Sequence, residues 1–161
     1  MVTALRVDER LIHGQVAMAW TRDLGIQGIM VADDEAASNE MQKMTLKMAV
    51  PDGIKCIIKT VPEIIALLNN PRSEGMRILV LVKTVKNALE VYKAVPGIEY
   101  VNIGNAGRFT SGDGTERTII SRSVSLTPDE VEALKELAAL APDTALQMVP
   151  SDEKKLVSEV L

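Results

Sequence analysis

Short apolar runs alternate along the chain with longer segments whose apolar residues recur at helical spacing. The apolar runs predict strands at residues 2–7, 28–32, 54–58, 77–82 and 99–103, a sixth at 119–124 and a last short one at 145–149. The segments between them predict helices at residues 14–24, 38–50, 61–69, 85–94, 127–140 and 152–161. This alternation predicts an α/β fold, with helices on both faces of an open, mostly parallel twisted sheet of about six or seven strands.

Length and composition agree with this architecture. The chain has 161 residues, which suits a single domain spanning residues 1–161. Hydrophobic residues make up 47% of it but aromatic residues only 2%, so the core must be aliphatic. Aliphatic runs are typical of parallel strands that are covered on both faces.

The charge and the cysteine content exclude several kinds of function. With 18 basic and 22 acidic residues the net charge is -4, so no basic field for nucleic acid is expected. The charged first residues do not resemble a signal peptide and no apolar run is long enough to cross a membrane, so a cytoplasmic protein is expected. Cys56 is the only cysteine, which excludes a disulfide framework and a multi-cysteine zinc site.

The fold class indicates where chemistry should lie. Ligands of doubly wound sheets bind beyond the carboxyl ends of the strands. The segments expected at that edge are 8–14, 33–38, 59–61, 83–85, 104–117 and 150–152. The first of them contains His13, the only histidine of the chain.

The segment around His13 favours a site for an anion. His13 lies at the predicted start of the first helix, where free backbone N–H groups and the helix dipole attract negative charge. A neutral imidazole is a nucleophile toward a phosphoryl donor, and the planar guanidinium of Arg10 matches phosphate oxygens. Asp8 is expected to orient Arg10 or the imidazole, and Gly14 leaves room for a partner protein. A single histidine is often structural, and it is the combination at one strand–helix junction that indicates function.

A longer stretch carries a resemblance to a known family. Residues 6–20, RVDERLIHGQVAMAW, resemble the active-site signature of the IIB components of the mannose/fructose/sorbose family of the bacterial phosphotransferase system. The segments VADDEAA at 31–37, RILVLVKT at 77–84 and VNIGN at 101–105 resemble later parts of the same family, in the same order. The resemblance therefore covers essentially the whole chain.

The resemblance implies a phosphocarrier. A histidine of a IIA component would pass a phosphoryl group to Nδ1 of His13, and the group would then move to a sugar bound in the IIC and IID membrane subunits. Arg10 would stabilise the equatorial phosphoryl oxygens and Asp8 would support the loop, with no metal or other cofactor. The protein would sit at the inner face of the membrane through the transporter subunits, and a second copy of the chain is a candidate partner in a homodimer. The sugar would be a hexose or an amino sugar, and Gly104–Asn105, in place of two glycines, resembles the N-acetylgalactosamine branch.

Several other residues are candidates for lining the site. Asp34, beside Asp33 and Glu35, would suit Mg²⁺ in a response-regulator receiver, but the third strand lacks the phosphoacceptor aspartate that such a domain requires. Lys83 and Thr84 end the fourth strand, and Gly104 and Asn105 follow the fifth, so all are expected near the same edge.

Three arginines and the single cysteine also carry expectations. Arg6, Arg10 and Arg108 are expected to present local positive charge to the donor. Cys56 lies inside an apolar run, which favours a buried structural thiol over a phosphocysteine.

Two other functions stay open at this stage. One is a regulatory binding module of the same fold that docks on a transporter or a regulator without catalysis. The other is a nucleotide-binding α/β domain that uses the loop at residues 104–117, although that loop matches neither a dinucleotide fingerprint nor a P-loop.

Overall fold

The computed structural model describes residues 1–107 and 114–161. Its strands are β1 (Val2–Asp8), β2 (Gly28–Ala32), β3 (Lys55–Lys59), β4 (Ile78–Val82), β5 (Val101–Asn105), β6 (Thr118–Ser121), β7 (Val124–Leu126), β8 (Ala145–Leu146) and β9 (Lys155–Leu156). Its α-helices are α1 (Gly14–Leu24), α2 (Asp34–Ala37), α3 (Glu40–Met48), α4 (Val61–Leu68), α5 (Val85–Ala94) and α6 (Pro128–Leu140), with short 3-10 helices at Pro71–Ser73 and Val157–Glu159.

Seven of these strands form one twisted sheet, in the order β3-β2-β4-β1-β5-β8-β9. All neighbours in it are parallel except β8 and β9, which pair antiparallel. The central strand is β1, where Val7 lies opposite Val82 of β4 on one side and Ile103 of β5 on the other. The predicted open, mostly parallel α/β sheet is confirmed.

Helices cover both faces of the sheet. Buried residues of α4, α5 and α6 pack in one aliphatic cluster, and those of α1, α2 and α3 pack in the other. Strand side chains alternate between the two clusters, so that Val80 of β4 faces the first and Leu81 faces the second. Since β4 is buried along its whole length, its sequence is apolar throughout.

The chain connections place a crevice at the carboxyl end of β1. The chain leaves β1 toward α1 on one face of the sheet. It leaves the neighbouring strands β4 and β5 toward α5 and α6 on the opposite face. Such a reversal is the position at which open α/β sheets bind their ligands.

The C-terminal segment differs from its prediction. Residues 152–161 were expected to form a helix, and this expectation is wrong. Lys155 and Leu156 instead extend the sheet as β9, and a 3-10 helix follows. Pairing with β8 places the fully buried Val157 in the core beside α6, and this long-range contact outweighs the weak helical pattern.

Other boundaries also differ, and β5 is shifted by two residues from the predicted 99–103. The helix predicted at 38–50 begins only at Glu40, because the Asn39 side chain caps α3, and a separate short helix α2 precedes it. The strand predicted at 119–124 is the antiparallel hairpin β6–β7, in which Ser123 donates through its hydroxyl to the Gly104 carbonyl, 2.7 Å away. The strand predicted at 145–149 ends at Leu146.

Candidate functional site

His13 is exposed at the N-terminus of α1. It is the N-cap residue, with extended backbone angles (φ −121°, ψ 118°), and its carbonyl accepts the first helical hydrogen bond, from Ala17 N. Among the described residues no side-chain hydrogen bond caps this helix, and its first turn carries no acidic residue. The positive end of the α1 dipole is therefore open to an anion beside an accessible imidazole.

The loop that presents His13 is held from below by two apolar side chains. Leu11 and Ile12 are both buried in the cluster beneath α1. Leu11 also has a left-handed backbone (φ 60°), a conformation that costs a residue other than glycine about 1–2 kcal/mol. Burial of Leu11 and the bond from its N–H to the Asp8 carbonyl hold this turn, and His13 is kept on the outside.

Asp8 orients Arg10. The Asp8 side chain is fully buried at the end of β1, and its Oδ1 accepts from the backbone N of Arg10 at 3.0 Å and from Arg10 Nε at 3.3 Å. Its Oδ2 accepts from Arg10 Nη2 at 3.5 Å. Because Arg10 is itself 24% exposed, its guanidinium is held at the surface of the site by a carboxylate that solvent does not reach.

Arg6 approaches the same carboxylate from inside the sheet. Its Nη2 donates to Asp8 Oδ2 at 3.1 Å, and its Nη1 donates to Asn102 Oδ1 and, at 3.1 Å, to the Gln147 carbonyl. Burial lowers the pKa of the Arg6 guanidinium, and the charge of Asp8 opposes that shift. The expectation that Arg6 presents positive charge to a partner is wrong, because its side chain is only 2% exposed.

The segment after β8 supplies groups that were not predicted from sequence. Met148 Sδ lies 3.8 Å from Arg6 Nη2 and 3.7 Å from Arg10 Nη2, and the Met148 carbonyl accepts from Trp20 Nε1 at 3.0 Å. The Trp20 ring lies under the Arg6 guanidinium, with its centroid 5.4 Å from Cζ. Residues 147–148 are far from Arg6 in sequence, and no local motif marks them.

Lys83 and Thr84 lie on the other side of the β1 terminus. With Glu9 and Gly107 they line a cleft of about 350 Å³, whose wall also includes Lys86 of α5 and Glu130 of α6. Thr84 is occupied as the N-cap of α5, and Lys83 Nζ lies 3.7 Å from Glu35. The structure thus brings both residues to the expected edge, where Thr84 begins α5 on the face opposite α1 and Lys83 reaches toward α2.

Asp34 is hydrogen-bonded at the start of another helix, whereas Gly14 faces open space. Asp34 Oδ1 accepts from Val61 N at 2.9 Å, so this carboxylate is engaged at the start of α4, beside β3 and away from the central strand. A Cβ added at Gly14 would meet nothing within 4 Å, in agreement with an open approach to the start of α1.

The last two residues of β5, Gly104 and Asn105, lie close to the arginine network; the expectation that they follow the strand is wrong, because β5 continues to Asn105. Gly104 packs directly against the Arg6 guanidinium. Asn105 is buried, its carbonyl accepts from Glu9 N at 3.0 Å, and its side-chain amide has no hydrogen-bond partner among the described residues. Residues 108–113, which include Arg108 and part of the loop at 104–117 proposed for nucleotides, lie outside the described residues.

Other possible chemistry receives no support from the described part of the chain. Residues 1–107 and 114–161 contain no group of three or more metal-ligating side chains that could hold an ion. No helix in those ranges is long and apolar enough to cross a membrane. Cys56 is half-buried rather than fully buried, and burial raises the pKa of its thiol, which disfavours a nucleophilic role.

Comparison with known proteins agrees with these features. A parallel sheet with an anion-accepting helix start at its switch point defines a broad class of α/β domains. Within it, the chain belongs to the sorbose subfamily of IIB components of the phosphotransferase system, whose family model matches residues 2–161. IIB components are phosphotransferases that work with IIA and IIC/IID subunits in sugar transport.

Three related proteins illustrate the similarity. A probable phosphotransferase enzyme IIB component of Streptococcus pyogenes serotype M6 is 45% identical over 162 residues, covering 100% of this chain and 99% of the relative. The mannose-specific EIIAB component of Escherichia coli K12 is 30% identical over 97% of this chain, which spans 47% of that protein. The crystal structure of the IIBSor domain of the sorbose permease from Klebsiella pneumoniae superposes with a TM-score of 0.88 at 26% identity, covering 99% of this chain and 94% of that chain.

Proposed function

We propose that this chain carries a phosphoryl group on Nδ1 of His13, taking it from a phosphohistidine of a IIA component and passing it to a sugar during uptake through IIC and IID subunits. The observation that carries the proposal is the exposed His13 at the uncapped start of α1, three residues after an arginine that a buried carboxylate holds in place. The EIIAB name of the Escherichia coli relative, in which this chain matches about half, supports a IIA donor.

The proposed transfer is a pair of displacements at phosphorus. The lone pair of neutral His13 Nδ1 forms the new P–N bond while the bond to the donor imidazole breaks, and the proton on Nε2 of His13 stays in place. In the second step a sugar hydroxyl oxygen attacks the phosphorus, the bond to Nδ1 breaks, and the hydroxyl proton replaces the phosphoryl group on the imidazole. Both steps are mainly a matter of positioning and of stabilising charge on the phosphoryl oxygens.

The described residues supply that stabilisation. Arg10 would donate to the equatorial oxygens, and the free N–H groups of the first turn of α1 would donate to the others. Neither donor needs to reorganise, because Asp8 fixes Arg10 and the helix fixes its own amides. Membership of the family extends the proposal to a hexose or an amino sugar and to a position at the inner face of the membrane.

The test is phosphorylation of the purified chain by phosphoenolpyruvate, the general phosphotransferase proteins and a IIA donor. An acid-labile and base-stable phosphate is expected for a phosphohistidine, and His13 is the only histidine that could carry it. The variant His13→Ala should accept none, whereas Asp23→Ala, an exposed position at the far end of α1, should be phosphorylated normally. Partner binding without phosphorylation of the wild-type chain would instead favour the regulatory module.

A further inference from the structure

We infer that Arg6 is a positioning residue for phosphoryl transfer, which acts by holding the Asp8 carboxylate that in turn holds Arg10. The inference rests on the proposed function. It gives a buried arginine a part in phosphoryl transfer although that arginine does not touch the phosphoryl group. Its support is a continuous set of contacts from the interior of the sheet to the surface of the site.

Arg6 cannot reach a phosphoryl group directly. Its side chain is 2% exposed, and its guanidinium donates to Asn102, to the Gln147 carbonyl and to Asp8. Arg10, at 24% exposure, is the arginine of the pair that meets solvent. An effect of Arg6 on an incoming anion must therefore pass through the groups that it shares with Arg10, which are Asp8 and Met148 Sδ, and Asp8 is the charged one.

The position of Asp8 depends on Arg6. Asp8 Oδ2 is shared between Nη2 of Arg6 at 3.1 Å and Nη2 of Arg10 at 3.5 Å, so the shorter contact is the one to the buried arginine. Arg6 is tied to β5 through Asn102, whose Nδ2 also donates to the Gln147 carbonyl at 3.0 Å. The carboxylate is thereby tied to the sheet through Oδ2, while Oδ1 holds the loop by accepting from Arg10 N at 3.0 Å.

The charge of the site also depends on Arg6. Two guanidinium groups share one carboxylate, which leaves a net charge of about one positive unit across the three side chains at neutral pH. Without Arg6, the fully buried Asp8 carboxylate would be compensated by Arg10 alone. Arg10 would then be drawn into a closed ion pair and its charge would be less available to phosphoryl oxygens.

A lysine cannot replace these contacts. The Arg6 guanidinium donates in three directions from one rigid plane, whereas an ammonium is a single point charge on a flexible stem. Arg6→Lys therefore keeps the positive charge at residue 6 but loses the hydrogen bonds that orient Asp8. The variant separates the effect of the charge from the effect of the orientation.

The experiment is a double-mutant cycle on single-turnover transfer from a saturating phosphorylated IIA donor. Arg6→Lys should slow transfer about tenfold when Arg10 is present, and less than about twofold in an Arg10→Ala background. The apparent affinity for the donor should change little, because Arg6 does not reach the surface. Equal slowing in both backgrounds, or no slowing in either, would overturn the inference.

A second variant covers the case in which Arg6→Lys does not fold. Asn102→Ala removes an anchor of Arg6 without touching Asp8 or Arg10, and it should slow transfer about threefold only when Arg10 is present. Val91→Ala, a buried α5 position on the opposite face, is the matched control for lost stability and should leave the rate unchanged.

The two levels of proposal fail in different ways. If the wild-type chain accepts no phosphate on His13, the proposed function is wrong and the cycle has no rate to measure. If the wild type is phosphorylated but the effects of Arg6→Lys and Arg10→Ala are additive, only the positioning role is wrong.

Discussion

Gly104→Ala tests whether the Arg6 guanidinium is packed as tightly as the structure shows. A Cβ at this position would lie 2.5 Å from Arg6 Nη1 and closer still to Cζ and Nη2. Gly104 does not have a positive φ, so the substitution adds no backbone strain and the effect comes from the collision alone. The guanidinium would have to recede by about 1 Å to reach an ordinary contact distance.

The magnitude follows from what that movement breaks. Overpacking of a filled interior costs about 1–3 kcal/mol. A hydrogen bond to a charged group contributes about 1.5–3 kcal/mol, and the displaced guanidinium would weaken its bonds to Asp8 and to the Gln147 carbonyl. We therefore expect the free energy of unfolding to fall by about 3 kcal/mol, which corresponds to a melting temperature lower by about 6–12 °C for a domain of this size.

Urea unfolding followed by circular dichroism measures this change. Gly75→Ala is the matched control, because a Cβ there would meet nothing within 4 Å and the residue does not have a positive φ. It should unfold within about 0.5 kcal/mol of the wild type. If Gly104→Ala unfolded at the same urea concentration as this control, Arg6 would not occupy the position described, and the positioning role would lose its structural basis.

Two further outcomes follow from charge and burial. Because burial raises the pKa of the Cys56 thiol above its ordinary value of 9.0, its alkylation by iodoacetamide should keep accelerating beyond about pH 9, and a plateau below that pH would contradict the assigned environment. Transfer from the IIA donor should slow as salt rises, because the exposed part of Arg10 and the start of α1 attract an anionic phosphoryl group, and a stopped-flow rate independent of salt would refute this steering.

The parts of the fold that follow from local patterns could be predicted from sequence. β4 is apolar because both of its faces are covered, and α6 begins at a capping box formed by Thr127 and Glu130, which the sequence shows directly. The C-terminal segment could not be predicted in the same way. Its β9 strand is only two residues long and exists through pairing with β8, a contact that no local pattern reports.

The candidate site also contains residues that are close in sequence and residues that only the sheet brings together. Asp8, Arg10 and His13 lie within six residues of one another at a single strand–helix junction, so their proximity follows from sequence alone. Asn102 and Gln147 join them only because β5 and the segment after β8 lie beside β1 in the sheet.

The position of Arg6 in the sequence indicates burial rather than the surface exposure that its charge suggests. Arg6 is the fifth of six residues in the first predicted strand of a sheet whose two faces are both covered by helices. A charged residue at such a position has no route to solvent and must find partners inside.

The arrangement explains how an acidic protein can present a positive site. The chain carries a net charge of -4, so attraction of a phosphoryl group cannot come from its overall field. Positive charge is instead concentrated locally, by placing one carboxylate between two arginines and aligning the start of α1 beside them. Because Asp8 and Arg6 are shielded from solvent, salt should screen their mutual attraction far less than it screens the approach of the donor. Steering of the donor and orientation of Arg10 should therefore be separable, with only the first responding strongly to ionic strength.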